Sequence, residues 1–180
     1  MAIEAALIFP MLTWCYLAGF VWFDAFRMQS VNDKTAYALG DIVSRETDMI
    51  APDFIDSLVR LHRGMTFAKT PTRLRVSTVR WDEDTSSYAV VWTQPRGDGL
   101  LPLSDDDVAP GTDLAGKIPI MSTGADQRLI LVETWLPYEP SFSIGLDAFV
   151  FEGFTAISPR YSPQICLDAN NSGDPLQAVC

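Results

Sequence analysis

Apolar residues run from Ala5 to Phe23 without a polar face, with Glu4 as the charge at the start and Cys15 and Tyr16 as the ionisable groups inside. At about 1.5 Å per residue, a helix of that length crosses a hydrocarbon core of roughly 30 Å with little tilt. A water-soluble core helix this long needs a polar side, so the pattern predicts a membrane span over residues 1–23. From Asp24 the chain stays helical but turns amphipathic. Met28, Val31, Thr35, Ala38 and Ile42 recur at three- and four-residue steps, and Arg27, Asp33, Lys34, Asp41 and Arg45 take the rest of the wheel. The span is expected to continue as a stalk helix over residues 24–48, roughly 65 Å long if unbroken from Ile3 to Thr47, with Gly40 as a point of bending. Its apolar stripe packs either on the chain's own sheet or on a partner helix.

A head domain over residues 49–180 follows. Pro52 suits the first turn of a second helix and Asp53 favours its dipole; Phe54, Leu58, Leu61 and Met65 would share its buried face, and Gly64 offers a stop. His62, the one histidine, lies between Leu61 and Arg63 and is expected at the surface rather than in catalysis. From Arg73 the period becomes extended. Leu74, Val76, Val79 and Trp81 mark a strand whose alternation slips near Ser77, as at a bulge. Asp82 to Ser86 reads as a turn, and Tyr88, Val90 and Trp92 alternate along a returning strand. Pro95 to Gly99 ends that hairpin. The stretch to Asp126, with Pro102, Pro110 and Pro119, reads as a long loop holding at most a short helix. Arg128 to Trp135 is strongly strand-like, Ser143 to Ser158 supplies one or two more strands, and Leu167 to Val179 should be irregular. The order of helix, helix and strands predicts an α+β fold, with a long N-terminal transmembrane and stalk helix, a short helix and an antiparallel β-sheet head.

Composition narrows the functions open to such a chain. With 23 acidic against 13 basic residues and a formal net charge of -10, it has no basic stripe to displace phosphate counterions, so a nucleic-acid partner is not expected. The 180 residues suit one modest domain plus an anchor. A cleaved secretory signal would want a basic start and a shorter apolar core, and Trp14 before Cys15 argues against a lipoprotein box. Cys15 reads as a small apolar residue of the span. Cys166 and Cys180 are spaced for a loop-closing disulfide in an oxidising compartment, two reduced thiols being the alternative. Hydrolase elbow, phosphate-binding glycine loop and His/Cys metal spacing are missing from the sequence. Ser104 to Asp107, with Asp113, could attract calcium but lacks a calcium loop's alternating ligands, so a solvated acidic loop is expected and no metal is assigned. Glu133 and Glu139 could form an acid pair; a strand followed by a proline corner explains them equally. No enzymatic activity, cofactor or small-molecule substrate is expected.

Glu4 carries the sharpest signal, because a carboxylate in an apolar helix is costly and usually persists with a partner. It lies either hydrated at the headgroup level or against a cation of a neighbouring chain, such as an N-terminal amine. Pro10 fits both readings, since it would bend the span and free a carbonyl. The run from Ala2 to Leu12, Ala-Ile-Glu-Ala-Ala-Leu-Ile-Phe-Pro-Met-Leu, resembles the N-terminal signature of TadE/TadG-like minor pilins, the pseudopilins of tight-adherence (type IVc) pilus systems. Leu129 to Pro140 and Ser158 to Cys166 agree with it more loosely. The family's glycine cleavage site and basic leader do not precede Met1, so either the chain starts after them or a prepilin peptidase does not act on it.

The resemblance implies a structural minor pilin with Glu4 and Pro10 as assembly residues. It would sit as a single-pass protein of the bacterial inner membrane with a periplasmic C-terminal domain, or be incorporated in an extracellular pilus. Its partners would be other minor and major pilins, the inner-membrane assembly machinery and membrane lipid. A single-pass binding or sensor module unrelated to pili is the alternative, and it does not require Glu4.

Overall fold

The computed structural model describes residues 2–119 and 127–180. Helix α1 runs from Ala2 to Ser44 without interruption and α2 from Pro52 to Thr66. They are followed by β1 (Arg73–Asp82), β2 (Ser87–Arg96), a short α3 (Asp113–Lys117), β3 (Arg128–Tyr138) and β4 (Phe149–Ile157). The strands form one four-stranded sheet in the order β2-β1-β3-β4, with every neighbour antiparallel. The α+β class expected from the sequence is the observed one. The loop before β3 carries a single turn of tight helix at Asp105–Val108 besides α3, and its residues 120–126 lie outside the described ones.

One face of the sheet receives both helices. Leu39 and Val43 of α1, Ile55 and Leu58 of α2, and Ile165 and Leu167 of the tail close over Leu74, Val76, Trp92, Ile130 and Val132. Of the two partners open to the amphipathic half of α1, the chain's own sheet is the one it packs on. Its buried stripe is Ala25, Asn32, Thr35, Ala36, Leu39, Gly40, Val43 and Ser44. Met28, Val31, Ala38 and Ile42 lie half-buried on the shoulder of that stripe. Gly40 serves close approach rather than bending: a Cβ there would stand 2.9 Å from Ile157 Cδ1, and the helix continues through it.

The opposite face is covered where the long loop folds back. Leu103, Val108 and Ile118 pack with Val79, Tyr88, Leu129 and Leu131. The loop's acidic residues are used in this closure. Asp105 Oδ1 accepts from the Val90 N–H at 2.7 Å. Asp107 accepts from the backbone N–H and hydroxyl of Ser104, which hold its carboxyl below the usual range.

Three local expectations are corrected. The bulge lies beside Ser77, as expected, but its extra residue is in β2 rather than β1: Thr78 pairs with Trp92 and Val79 with Val90, so Val91 is the extra residue. The pairing of β1 with β3 is unbroken. The extra residue turns Trp92 to the helix face, away from Tyr88 and Val90. In α2 the buried face is Ile55, Leu58, His62 and Thr66, whereas Leu61 and Met65 are exposed. Both phases share Leu58, and contact with α1 selects the second. The helix also runs past Gly64, and Phe67 takes the left-handed position at φ 51° while the N–H groups of Phe67 and Ala68 bond back to Gly64 and Arg63 carbonyls.

Proline does not end β3 at its corner. Pro137 lies within the strand opposite Val150, beyond the end of β1, which stops at Arg73 opposite Trp135. There β3 has a neighbour on one side only, the setting in which a strand tolerates proline.

Candidate functional site

The half of α1 that precedes the head is its most unusual surface. Leu7, Ile8, Phe9, Met11, Leu12, Trp14, Tyr16 and Phe20 are all exposed, between 51 and 74 %. Only 6 % of the most apolar 18-residue window in this helix is buried by the rest of the chain. A core helix of a soluble domain would be covered. Among the described residues, α1 is the one helix long and apolar enough to cross a membrane.

Glu4 sits in the first turn, where a carboxylate also complements the helix dipole, and its side chain is on the helix surface. It shares a face with Leu7, Ile8 and Met11, which follow at helical steps. Pro10 lies inside the continuous helix and supplies no N–H, so the Ala6 carbonyl has no donor one turn on. The Thr13 hydroxyl donates to the Phe9 carbonyl at 2.9 Å, using its hydrogen within the helix. Cys15 is a free thiol exposed on the same segment. These side chains leave the segment apolar and open around its whole circumference.

The head grips α1 where the exposed run ends. Tyr138 donates to Asp24 Oδ2 at 3.1 Å and lies 3.4 Å from the Val21 carbonyl. Burial, reinforced by the Asp24 carboxylate, pushes the Tyr138 phenol up to about 12, so it remains a donor at any physiological pH. Two turns further along α1, Asn32 Oδ1 meets His62 Nε2 at 3.0 Å and accepts from the Thr134 hydroxyl at 3.1 Å. His62 is fully buried there, which corrects its expected surface placement, and burial lowers its pKa to about 4. Gly153 makes room for this cluster, because a Cβ would stand 2.5 Å from Thr134 Oγ1 and 2.8 Å from Asn32 Nδ2.

The two acidic residues considered as a pair are not brought together. Glu133 is bound by Arg75 through two hydrogen bonds of 2.5 and 2.8 Å, and Glu139 is exposed beyond the end of β3. Trp135 receives the guanidinium groups of Arg73 and Arg75 at 5.8 and 5.5 Å from its ring. Sequence spacing did not reveal this group, since its members come from β1 and β3 and meet through the strand register. Among the described residues, no three His, Cys, Asp or Glu side chains converge as a metal site.

Cys166 and Cys180 are joined by a disulfide that closes the tail. The tail is further held by an antiparallel bridge between Leu167 and Val179 and by the Trp92 Nε1–H, which donates to the Ile165 carbonyl at 2.8 Å. Asp168 accepts from the backbone N–H groups of Gly173 and Ser172, which hold its carboxyl below the usual range. Comparison with protein-family models, with curated proteins and with solved structures finds no match for this chain.

Proposed function

We propose that this protein is a minor pilin of the tight-adherence, type IVc kind: a single-pass inner-membrane subunit whose exposed N-terminal helix packs among other pilin helices while the head lies in the periplasm. The observation that carries the reading is one helix used in two ways. Its second half is the spine of the head's core, and its first half projects with apolar side chains on every side and Glu4 near its tip. Such a helix suits lateral storage in a bilayer and lateral packing in an assembly. The disulfide supports placing the head in an oxidising compartment. A membrane-anchored binding module would account for the anchor but does not require Glu4.

In this reading Glu4 neutralises a cation on the adjacent subunit, and the low-dielectric surroundings strengthen the attraction and set the depth of one span against the next. The head grips α1 from Val21 onward, about 25 Å along the helix from Glu4, so the side chain does not contribute to the head's fold. A Glu4→Ala chain should insert, keep its disulfide and keep its folded head, yet lose co-purification with partner pilins and fail to support pili. Wild-type partner recovery together with normal pilus counts would remove the assembly role and favour the plain anchored module.

A further inference from the structure

If α1 is anchored in a bilayer, as the proposed function requires, its packing against the head fixes the height of the head above the membrane. The head does not begin clear of the apolar run. Val21, inside that run, is already buried, and Ala25, Leu136, Tyr138 and Phe151 form one apolar cluster beside it. Tyr138 pairs with Phe149 across β3 and β4, so the end of that hairpin lies level with the last turn of the span. On the α2 side, Met65 to Thr70 line a cleft of about 380 Å³ with Asp24, Arg27 and Met28, and Ser141 of the β3–β4 loop lines it too. Arg27 stands about 6 Å along the helix from Phe23, within the headgroup layer that flanks a core of roughly 30 Å.

Large apolar side chains of the head at this height are uncovered. Phe67 is 85 % exposed, and Phe142, Phe149 and Val150 are exposed at 46, 38 and 41 %. Trp22 and Phe26 are exposed at the same height on α1 itself, their rings 6.1 Å apart. Aromatic side chains at that depth bury their rings at the headgroup boundary. Phe67 is held outward by the left-handed end of α2, a conformation that favours glycine and that a phenylalanine adopts at a cost. The surrounding charges are mixed, with Arg27, Arg63 and Lys69 against Asp24, Glu139 and Asp147.

We infer that the head has a second membrane contact: Phe67 at the end of α2 and the β3–β4 tip around Phe142 and Phe149 insert into the surface of the same bilayer that holds α1, so the head lies down on the membrane with its orientation fixed by this rim. Because the charges are mixed, ring insertion carries the contact and anionic lipid is not required.

The test uses the full chain with Cys15→Ser and its native disulfide, reconstituted in phosphatidylcholine vesicles. Single labelling cysteines replace Phe67, Phe142, Asp98 or Leu12, each carries an environment-sensitive fluorophore, and lipids bear a nitroxide at the headgroup or along the acyl chain. Quenching of position 12 by the acyl-chain nitroxide reports insertion of α1. Headgroup nitroxide should quench positions 67 and 142 about threefold more strongly than position 98, as expected for groups at the boundary, and equally well with or without phosphatidylglycerol. If position 12 is quenched while 67 and 142 behave like 98, the second contact is overturned, whether water or a second copy covers the patch, and the anchoring stands. Quenching at 67 and 142 that appears only with phosphatidylglycerol overturns insertion in favour of charge attraction. If position 12 is not quenched, the anchored reading itself fails and this inference with it.

Discussion

His62 is fully buried with Nε2 against Asn32, and burial holds its pKa near 4 instead of 6.5. The folded head therefore disfavours the imidazolium that the unfolded chain accepts. Between pH 6.5 and 4 the unfolded state binds more protons, so stability present above about 6.5 is lost as the pH falls, by about 1.4 kcal/mol per unit and about 3 kcal/mol in all. Asp107 and Asp168, whose carboxyls are held low, lose their contribution at lower pH still. Denaturant unfolding of the detergent-solubilised chain across this range should show the fall, and His62→Gln should flatten it. Equal pH dependence in the two proteins would contradict a buried neutral histidine. The sequence hid this residue because Arg60 and Arg63 suggested a surface stretch, and its partner Asn32 lies thirty positions away on another helix.

At the level of elements, the junction of α1 with β3 and β4 depends on two glycines with different surroundings. A methyl at Gly153 meets the hydrogen-bonded Thr134 and Asn32, whereas one at Gly40 meets the end of Ile157 and, less closely, the methyl of Thr155. Gly153→Ala should cost about 1 to 3 kcal/mol of unfolding free energy, typical of overpacking, and Gly40→Ala less. Chemical denaturation of both variants checks the order, and the reverse order would contradict the packing described. Element identity was legible wherever one periodicity ran long: the unbroken apolar helix, the Pro52 helix start and the strand from Arg128. What escaped depended on contacts between elements. The Val91 bulge exists only in the register of β2 against β1, the phase of α2 is chosen by α1, and Phe67 ends that helix where Gly64 would have been the simpler choice. At the candidate site Glu4 and Pro10 were legible from their place in the apolar run, while the grip of Tyr138 on Asp24 and Val21 joins residues more than a hundred positions apart.

For the molecule as a whole, the tail is closed by the disulfide between Cys166 and Cys180, and Cys15 is exposed on the helix. If the head is periplasmic, alkylation of the chain taken from cells without reductant should modify Cys15 alone, and reductant should add two further groups by intact mass. Closing a loop of about 15 residues contributes about 3 kcal/mol in chain-entropy terms, so the reduced chain should unfold at lower denaturant. Modification of all three cysteines before reduction would contradict the oxidising location.

The central claim is that the projecting half of α1 packs against the helices of other pilins. A photo-crosslinking residue placed at Leu12, 61 % exposed on that segment, tests it in living, piliated cells. The account predicts a covalent adduct to another subunit that carries its own apolar N-terminal helix, identified by mass spectrometry and weakened by Glu4→Ala. Crosslinking to lipid alone from Leu12, and equally from Leu7 and Tyr16, would contradict it.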